Sequence, residues 1–220
     1  MLVKDFMTEQ LVTVREDQNI LEVREVLRGK RLKTLPVVDD IGRVRGIVTI
    51  NDIKAASPSE ASTLSRYEAN YLMGRIKVKD IMTRSTVCVS ADETAEYAAY
   101  LLYKNDVNAL PVINKEGRLC GIIAKKDMFR AFIGIMGMNR DCIRVTIHTE
   151  DKTGQLADIC NIYKNAGINI ITCSARQLGD GAVDIIVRGE IGGGMDIVED
   201  LRQAGFNVTD VMKLDGLENA

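Results

Sequence analysis

A six-residue phrase that occurs twice constrains this chain more than any other feature. Residues 3–8 read VKDFMT and residues 78–83 read VKDIMT, an offset of 75 positions that then runs on without a gap. Leu35-Pro36-Val37 falls on Leu110-Pro111-Val112, Gly42-Arg43 on Gly117-Arg118, Gly46-Ile47 on Gly121-Ile122, and Asp52 on Asp127. A unit of about 55 residues buries too little apolar surface to be comfortable alone, so the two copies are expected to pack as a pseudo-twofold pair.

Each copy has the same pattern. A short strand (11–14; 86–89) precedes a helix with its apolar residues on one face (Ile20, Val23, Val26, Leu27; Ala95, Ala98, Leu101, Leu102). Two strands and a second helix follow: 34–38 and 44–48 joined through Asp39, Asp40 and Gly42, then 109–113 and 119–123 joined through Asn114 to Gly117. The N-terminus reads as a short strand-like run. Between the copies, Ser57-Pro58-Ser59 breaks the chain, and residues 60–74 suit a connecting helix with Leu64, Tyr67, Tyr71 and Leu72 on its packed side.

The third strand of copy one ends in Gly46-Ile47-Val48-Thr49-Ile50-Asn51-Asp52, where the chain enters a helix. A helix start offers unpaired N–H groups to phosphate, the Thr49 hydroxyl adds a donor, and the Asp52 carboxylate can accept from two ribose hydroxyls. The competing reading is a capping box, in which Thr49 and Asp52 satisfy each other's backbone. Copy two has Ala124 in place of Thr49 yet keeps Asp127, so half of such a reciprocal pair is retained without the other. Lys30, Arg31 and Lys33 make the approach to the Leu35-Pro36 strand basic; they suit a polyphosphate or simply a solvated helix end.

These residues resemble the CBS domain family: the doubled V-K-D-h-M-T opening, the h-P-V strand and the G-h-x-T-x-x-D ending. The likeness implies an α+β fold with two β-α-β-β-α repeats, residues 1–56 and 76–131, joined by a linker helix at 57–75. It implies an adenosine-type ligand, AMP, ATP or another adenosyl compound, in sites between the repeats. By position, Asp52 and Asp127 would hold ribose, Thr49 would contact ribose or phosphate, and backbone at Thr34, Leu35, Pro36 and Val37 and at Ala109, Leu110, Pro111 and Val112 would line the base pockets. Ala124 departs from the pattern, so two unequal sites are expected, the Thr49 site the stronger, unless Lys125 and Lys126 compensate through charge.

Residues 140–214 follow the order strand, helix, two strands, helix, strand, which is the ferredoxin-like order. The turn at Asp151-Lys152-Thr153-Gly154-Gln155-Leu156-Ala157, with Asn165-Ala166-Gly167-Ile168-Asn169-Ile170 beyond it, resembles ACT domains. That likeness implies a homodimer through paired sheets and an amino-acid ligand near Asp151, Gly154 and Asn169. A glycine at position 154 also suits a tight strand-to-helix turn on its own. The two domains together resemble the CBS-ACT proteins of acetoin utilisation, implying a regulatory role.

Among 220 residues, 29 basic and 31 acidic side chains leave a net charge of -2, which gives no electrostatic reason to expect nucleic acid or an anionic membrane as partner. No signal peptide and no 18-residue apolar stretch is found, so a cytoplasmic protein is expected. Five cysteines without a C-x-x-C pair argue against a disulfide framework or a zinc site and for buried, reduced thiols. No metal or cofactor is expected. His148 is the only histidine; Cys142 lies on the same strand but about 20 Å away at the β rise, too far for a nucleophile and its base. A core cysteine and a satisfied edge histidine are the better readings. The leading expectation is a nucleotide sensor and not an enzyme; an amino-acid sensor on a CBS scaffold, and an enzyme working in the CBS sites, stand as alternatives.

Overall fold

The computed structural model describes residues 1–58, 66–191 and 194–216. The chain divides into two compact units, Met1–Phe129 and Arg130–Ala220.

The first unit contains α1 (Ile20–Gly29), β1 (Thr34–Val38), β2 (Val44–Thr49) and α2 (Ile50–Ala55), then α3 (Arg66–Met73) and α4 (Val78–Ile81). The second repeat follows as β3 (Val89–Ser90), α5 (Ala95–Lys104), β4 (Ala109–Ile113), β5 (Leu119–Ala124) and the start of α6 (Lys125–Ile135). The long helices begin at side-chain caps: Asn19 Oδ1 accepts the Leu21 N–H at 2.7 Å, and Thr94 Oγ1 accepts that of Tyr97 at 3.2 Å. The two hairpins turn alike because Asp39 and Asn114 present the same acceptor. Asp39 Oδ1 takes the Arg43 N–H at 2.8 Å, Asn114 Oδ1 that of Arg118 at 2.9 Å, and Gly42 and Gly117 supply the left-handed residue.

The repeated opening phrases pack on each other's repeat. Val3 lies in the core of the second repeat with Val89, Leu102, Leu110 and Ile123, whereas Val78 and Met82 lie in the core of the first with Ile20, Leu27, Leu35 and Val48. The backbone bonds match across the pair. Thr8 and Ile122 exchange bonds of 2.9 and 3.1 Å, and Thr83 and Ile47 exchange bonds of 2.9 and 3.0 Å. Arg43 bridges its own counterpart, Arg118, which places that pair on the pseudo-twofold axis. Close approach explains two of the shared glycines: a Cβ on Gly46 would lie 2.4 Å from the Thr83 carbonyl oxygen, and one on Gly121 2.3 Å from Met7 Sδ.

Three expectations are corrected. The N-terminal run is a 3-10 turn, Val3–Asp5, because Asp5 Oδ2 bends back to accept the Leu2 N–H at 2.8 Å. The first strand of each repeat shrinks to the bridge Val14–Val37 in one and two residues in the other, since only short stretches reach the neighbouring edge. In α3, Tyr67, Tyr71 and Leu72 are exposed and Met73 is the residue packed into the core; Leu64 lies outside the described residues. Among the described side chains of that helix, the one in the core is at its end.

The second unit contains β6 (Cys142–Glu150), α7 (Gln155–Asn165), β7 (Ile170–Gly179), β8 (Ala182–Glu190), α8 (Gly194–Gln203) and β9 (Asn207–Leu214). Its antiparallel sheet has the order β7-β8-β6-β9, the ferredoxin-like arrangement. Alternation puts Val145, Ile147, Val183, Ile185 and Val187 on one face, against Ile159, Tyr163, Ile197 and Leu201 of the two helices. Cys142 is buried as expected, but Cys173 is exposed on the edge strand β7 and Cys88, Cys120 and Cys160 are half-buried. His148 is on the central strand β6, not at an edge, and its Nδ1 lies 3.0 Å from Asp184 Oδ1. Among the described residues, no helix is long and apolar enough to cross a membrane and no group of three or more His, Cys, Asp and Glu could hold a metal ion.

Candidate functional site

The structure brings the expected site residues of copy one together. Register sets Thr34 of β1 directly across from Thr49 at the end of β2, with Leu35 opposite Val48 and Pro36 opposite Ile47. Alternation then divides the strands: Leu35, Val37 and Val48 point into the core, while Thr34, Pro36, Ile47 and Thr49 share the other face; a bulge at Val37/Val38 leaves Arg45 without a partner on β1. Of Leu35 and Val37, therefore, only backbone could meet a ligand. The start of α2 is held against the residue before β1, since the Ile50 N–H donates to the Lys33 carbonyl at 3.1 Å.

Thr49 and Asp52 form the capping box. Asp52 Oδ2 accepts the Thr49 N–H at 2.7 Å and the Thr49 hydroxyl at 2.8 Å, and Thr49 Oγ1 accepts the Asp52 N–H at 3.2 Å. Both side chains are only half-buried. A carboxylate has lone pairs beyond those used here, so the box orients Asp52 without exhausting it.

Copy two repeats the frame. Ala109 pairs with Ala124, Leu110 with Ile123, Pro111 with Ile122 and Val112 with Gly121, and the Lys125 N–H donates to the Asn108 carbonyl at 3.0 Å. Asp127 Oδ2 accepts the Ala124 N–H at 2.9 Å. Capping the chain before α6 thus gives Asp127 a structural use without a threonine partner, which answers why the sequence keeps that half of the pair. Asp127 is only 2% exposed, deeper than Asp52. Lys125 lies 3.5 Å from Asp106, so its charge is shared with that carboxylate.

The exchanged openings add neighbours that the repeat alone does not reveal. Thr83, paired with Ile47, brings the residues after it beside β2, and Thr8 does the same for β5. Arg84 therefore belongs to the surroundings of copy one and Glu9 to those of copy two. The glycines on the third strand, Gly46 and Gly121, are the sequence signal for this crossing.

In the second unit, Gly154 adopts φ 98° ahead of α7, the left-handed conformation that the strand-to-helix turn demands. Asp151 receives a 3.4 Å bond from Gln177 Nε2, and Asn169 Nδ2 donates to Glu190 at 3.1 Å. Glu150 pairs with Ala182 and Cys142 with Glu190, so the turn bearing Asp151 and Gly154 is at one end of the sheet and Asn169 at the other. Eight strand residues separate the ends by about 27 Å, and the three do not converge within one chain.

The CBS domain family model matches residues 3–59 and 78–134. Inosine-5'-monophosphate dehydrogenase of Methanocaldococcus jannaschii is 33% identical over 122 residues, which make up 56% of this chain but 22% of the dehydrogenase. The likeness to that enzyme is thus confined to a small part of it. Among solved structures, CBSX2 of Arabidopsis thaliana in complex with AMP is 30% identical, with a TM-score of 0.52 over 61% of this chain and 97% of that one. The CBS domain pair of protein MJ0100, in complex with 5'-methylthioadenosine and S-adenosyl-L-methionine, is 26% identical, with a TM-score of 0.50 over 61% and 97%.

Proposed function

The chain belongs to the CBS domain family, and from that premise we propose that it is a regulatory sensor holding an adenosine-type nucleotide between its two repeats. AMP, ATP or another adenosyl compound is the ligand, and the protein acts by binding, not by turnover. Asp52 and Asp127 hold ribose, Thr49 contacts ribose or phosphate, and the backbone of β1 and β4 lines the base. The observation that carries this reading is the face shared by Thr34, Ile47 and Thr49 beside the exchanged opening of the other repeat. A ligand there touches both repeats at once and so biases how they interlock. The adenosyl ligands of the two related CBS pairs favour the same chemistry.

The second unit serves in this proposal as an ACT domain, supported by its ferredoxin-like order and by the Gly154 turn. It pairs chains into a cytoplasmic homodimer. Since Asp151 and Gly154 stand apart from Asn169 in one chain, an amino acid would have to meet them across such a dimer.

The test is calorimetry and thermal melting with AMP, ATP, adenosylmethionine and single amino acids, a native-state ligand raising the melting temperature. Removing a charged hydrogen-bond partner costs about 1.5–3 kcal/mol, so Asp52→Ala should weaken nucleotide binding about ten- to a hundredfold. Asp52→Ala also loses its cap, whereas Asp52→Asn keeps an acceptor for the Thr49 N–H and separates the two effects. Affinity unchanged in both variants leaves Asp52 a capping residue only.

A further inference from the structure

The two repeats share a backbone but not a charge. Copy one carries Lys33, whose carbonyl holds the start of α2 next to Thr49, with Lys30 and Arg31 just before it in the chain, and toward the other end of β2 it carries Arg45 and Arg84, the latter opposite Gly46 in the antiparallel Thr83–Ile47 crossing. All five are exposed. The 75-residue offset replaces each of them in copy two: Lys30 by Asn105, Arg31 by Asp106, Lys33 by Asn108, Arg45 by Cys120 and Arg84 by Glu9. The hydroxyls go as well, Thr34 becoming Ala109 and Thr49 Ala124. Copy two gains Lys104, in place of Gly29, and Lys125 and Lys126 at the start of α6, but Asp106 lies 3.5 Å from Lys125.

The antiparallel Thr8–Ile122 bridge sets Glu9 opposite Gly121, next to Cys120, whose thiol is pushed up by burial first and then by the Glu9 carboxylate. Arg84 follows the Thr83 crossing beside β2; its side chain donates to the Lys79 carbonyl of α4 at 3.1 Å and lies 3.8 Å from Glu16, yet it is 60% exposed. Arg45 and Thr49 are four residues, about 13 Å, apart along β2, a span that a ribose with a phosphate chain can cover. An exposed cluster of like charges repels itself and gains from an anion, whereas phosphate beside Glu9 and Asp106 meets carboxylates.

We propose that the two nucleotide sites select by charge: the Thr49 side binds the phosphate-bearing adenosine compound, and the Ala124 side refuses phosphate and takes an uncharged or cationic adenosyl compound. The assignment rests on the adenosine-binding reading above. It makes the protein a comparator of two adenosyl metabolites instead of a sensor of one.

Calorimetry on the full chain tests this with AMP and adenosine as probes. AMP should bind one equivalent, with an affinity that falls as salt rises, and protein saturated with AMP should still take one equivalent of adenosine. Arg84→Glu, which installs the residue of copy two, should weaken AMP about ten- to a hundredfold and leave adenosine binding unchanged. Glu9→Arg with Cys120→Arg should bring AMP toward two equivalents. Two equal AMP sites in the unaltered protein, or AMP-loaded protein that takes no adenosine, overturns charge selection while the adenosine-binding reading stands. Binding of neither probe overturns that reading itself.

Discussion

The crossing of the opening segments rests on two glycines that face different obstacles, and Gly46→Ala should therefore cost far more than Gly121→Ala. At Gly46 the new methyl would lie 2.4 Å from the Thr83 carbonyl oxygen, which is fixed because Thr83 and Ile47 exchange two backbone bonds. Relief requires parting that bridge, at about 1 kcal/mol per bond. It also partly withdraws Met82 from the core, for about another 1–2 kcal/mol. Lower chain entropy in the unfolded alanine variant returns about 0.4–1 kcal/mol. The net loss is about 2–4 kcal/mol, or roughly 5–12 °C in melting temperature. At Gly121 the obstacle is Met7 Sδ at 2.3 Å, the end of a flexible side chain that can swing aside, and the same reasoning leaves about 1 kcal/mol or less. Thermal melts by circular dichroism measure both losses, and hydrogen exchange at the Ile47 and Thr83 amides shows whether the bridge has parted. Equal costs in the two variants, or undiminished protection of those amides in Gly46→Ala, would refute the interlocked arrangement.

Hydrogen bonds from Arg176, then His148, hold the Asp184 carboxyl below the usual carboxylate range. Its folded value being the lower, its contribution is complete above the unfolded value of about 3.9 and declines as pH falls through the folded one. Melting temperature should thus fall more steeply below about pH 4 in the unaltered chain than in Asp184→Asn, and parallel pH profiles would remove the role. Gly154→Ala, forced to φ 98°, should cost about 1–2 kcal/mol in a melt, and a neutral result would show the turn relaxing to another conformation. Burial, and then Cys160, pushes the exposed Cys173 thiol up, so its labelling by a disulfide reagent should be slow at neutral pH and quicken as pH rises. Cys142, fully buried, should label last.

What was legible in the sequence was whatever depends on neighbours along the chain. The 75-residue offset located both hairpins because Asp39 and Asn114 close their turns with local bonds, and the apolar spacing of α1 and α5 located their buried faces. The second unit was legible for the same reason: its strands alternate cleanly, and its helices carry one apolar stripe each. The exchange of opening segments was not legible, because Val3 and Val78, or Met7 and Met82, could be buried equally well on their own repeat or on the other. A hydrophobic pattern is degenerate between those choices, and only the glycines that make room for the crossing distinguish them.

The candidate site shows how the same sequence observation can carry opposite meanings. Retention of Asp127 opposite Ala124 pointed toward ribose binding while the carboxylate had no other visible task; the 2.9 Å bond to the Ala124 N–H supplies one. That moves the weight of the nucleotide argument away from the two aspartates, which both repeats need for folding, onto the residues that differ between repeats. Folding asks the same of both copies, so it cannot account for Lys33 against Asn108, Arg45 against Cys120 or Arg84 against Glu9. Cys120 packs against the core of its repeat, but Lys33, Arg45, Arg84, Asn108 and Glu9 are outside the buried clusters, and nothing in the packing constrains the sign there. A pseudo-twofold protein that keeps its frame and divides its charge has kept what the fold requires and varied what a ligand would read.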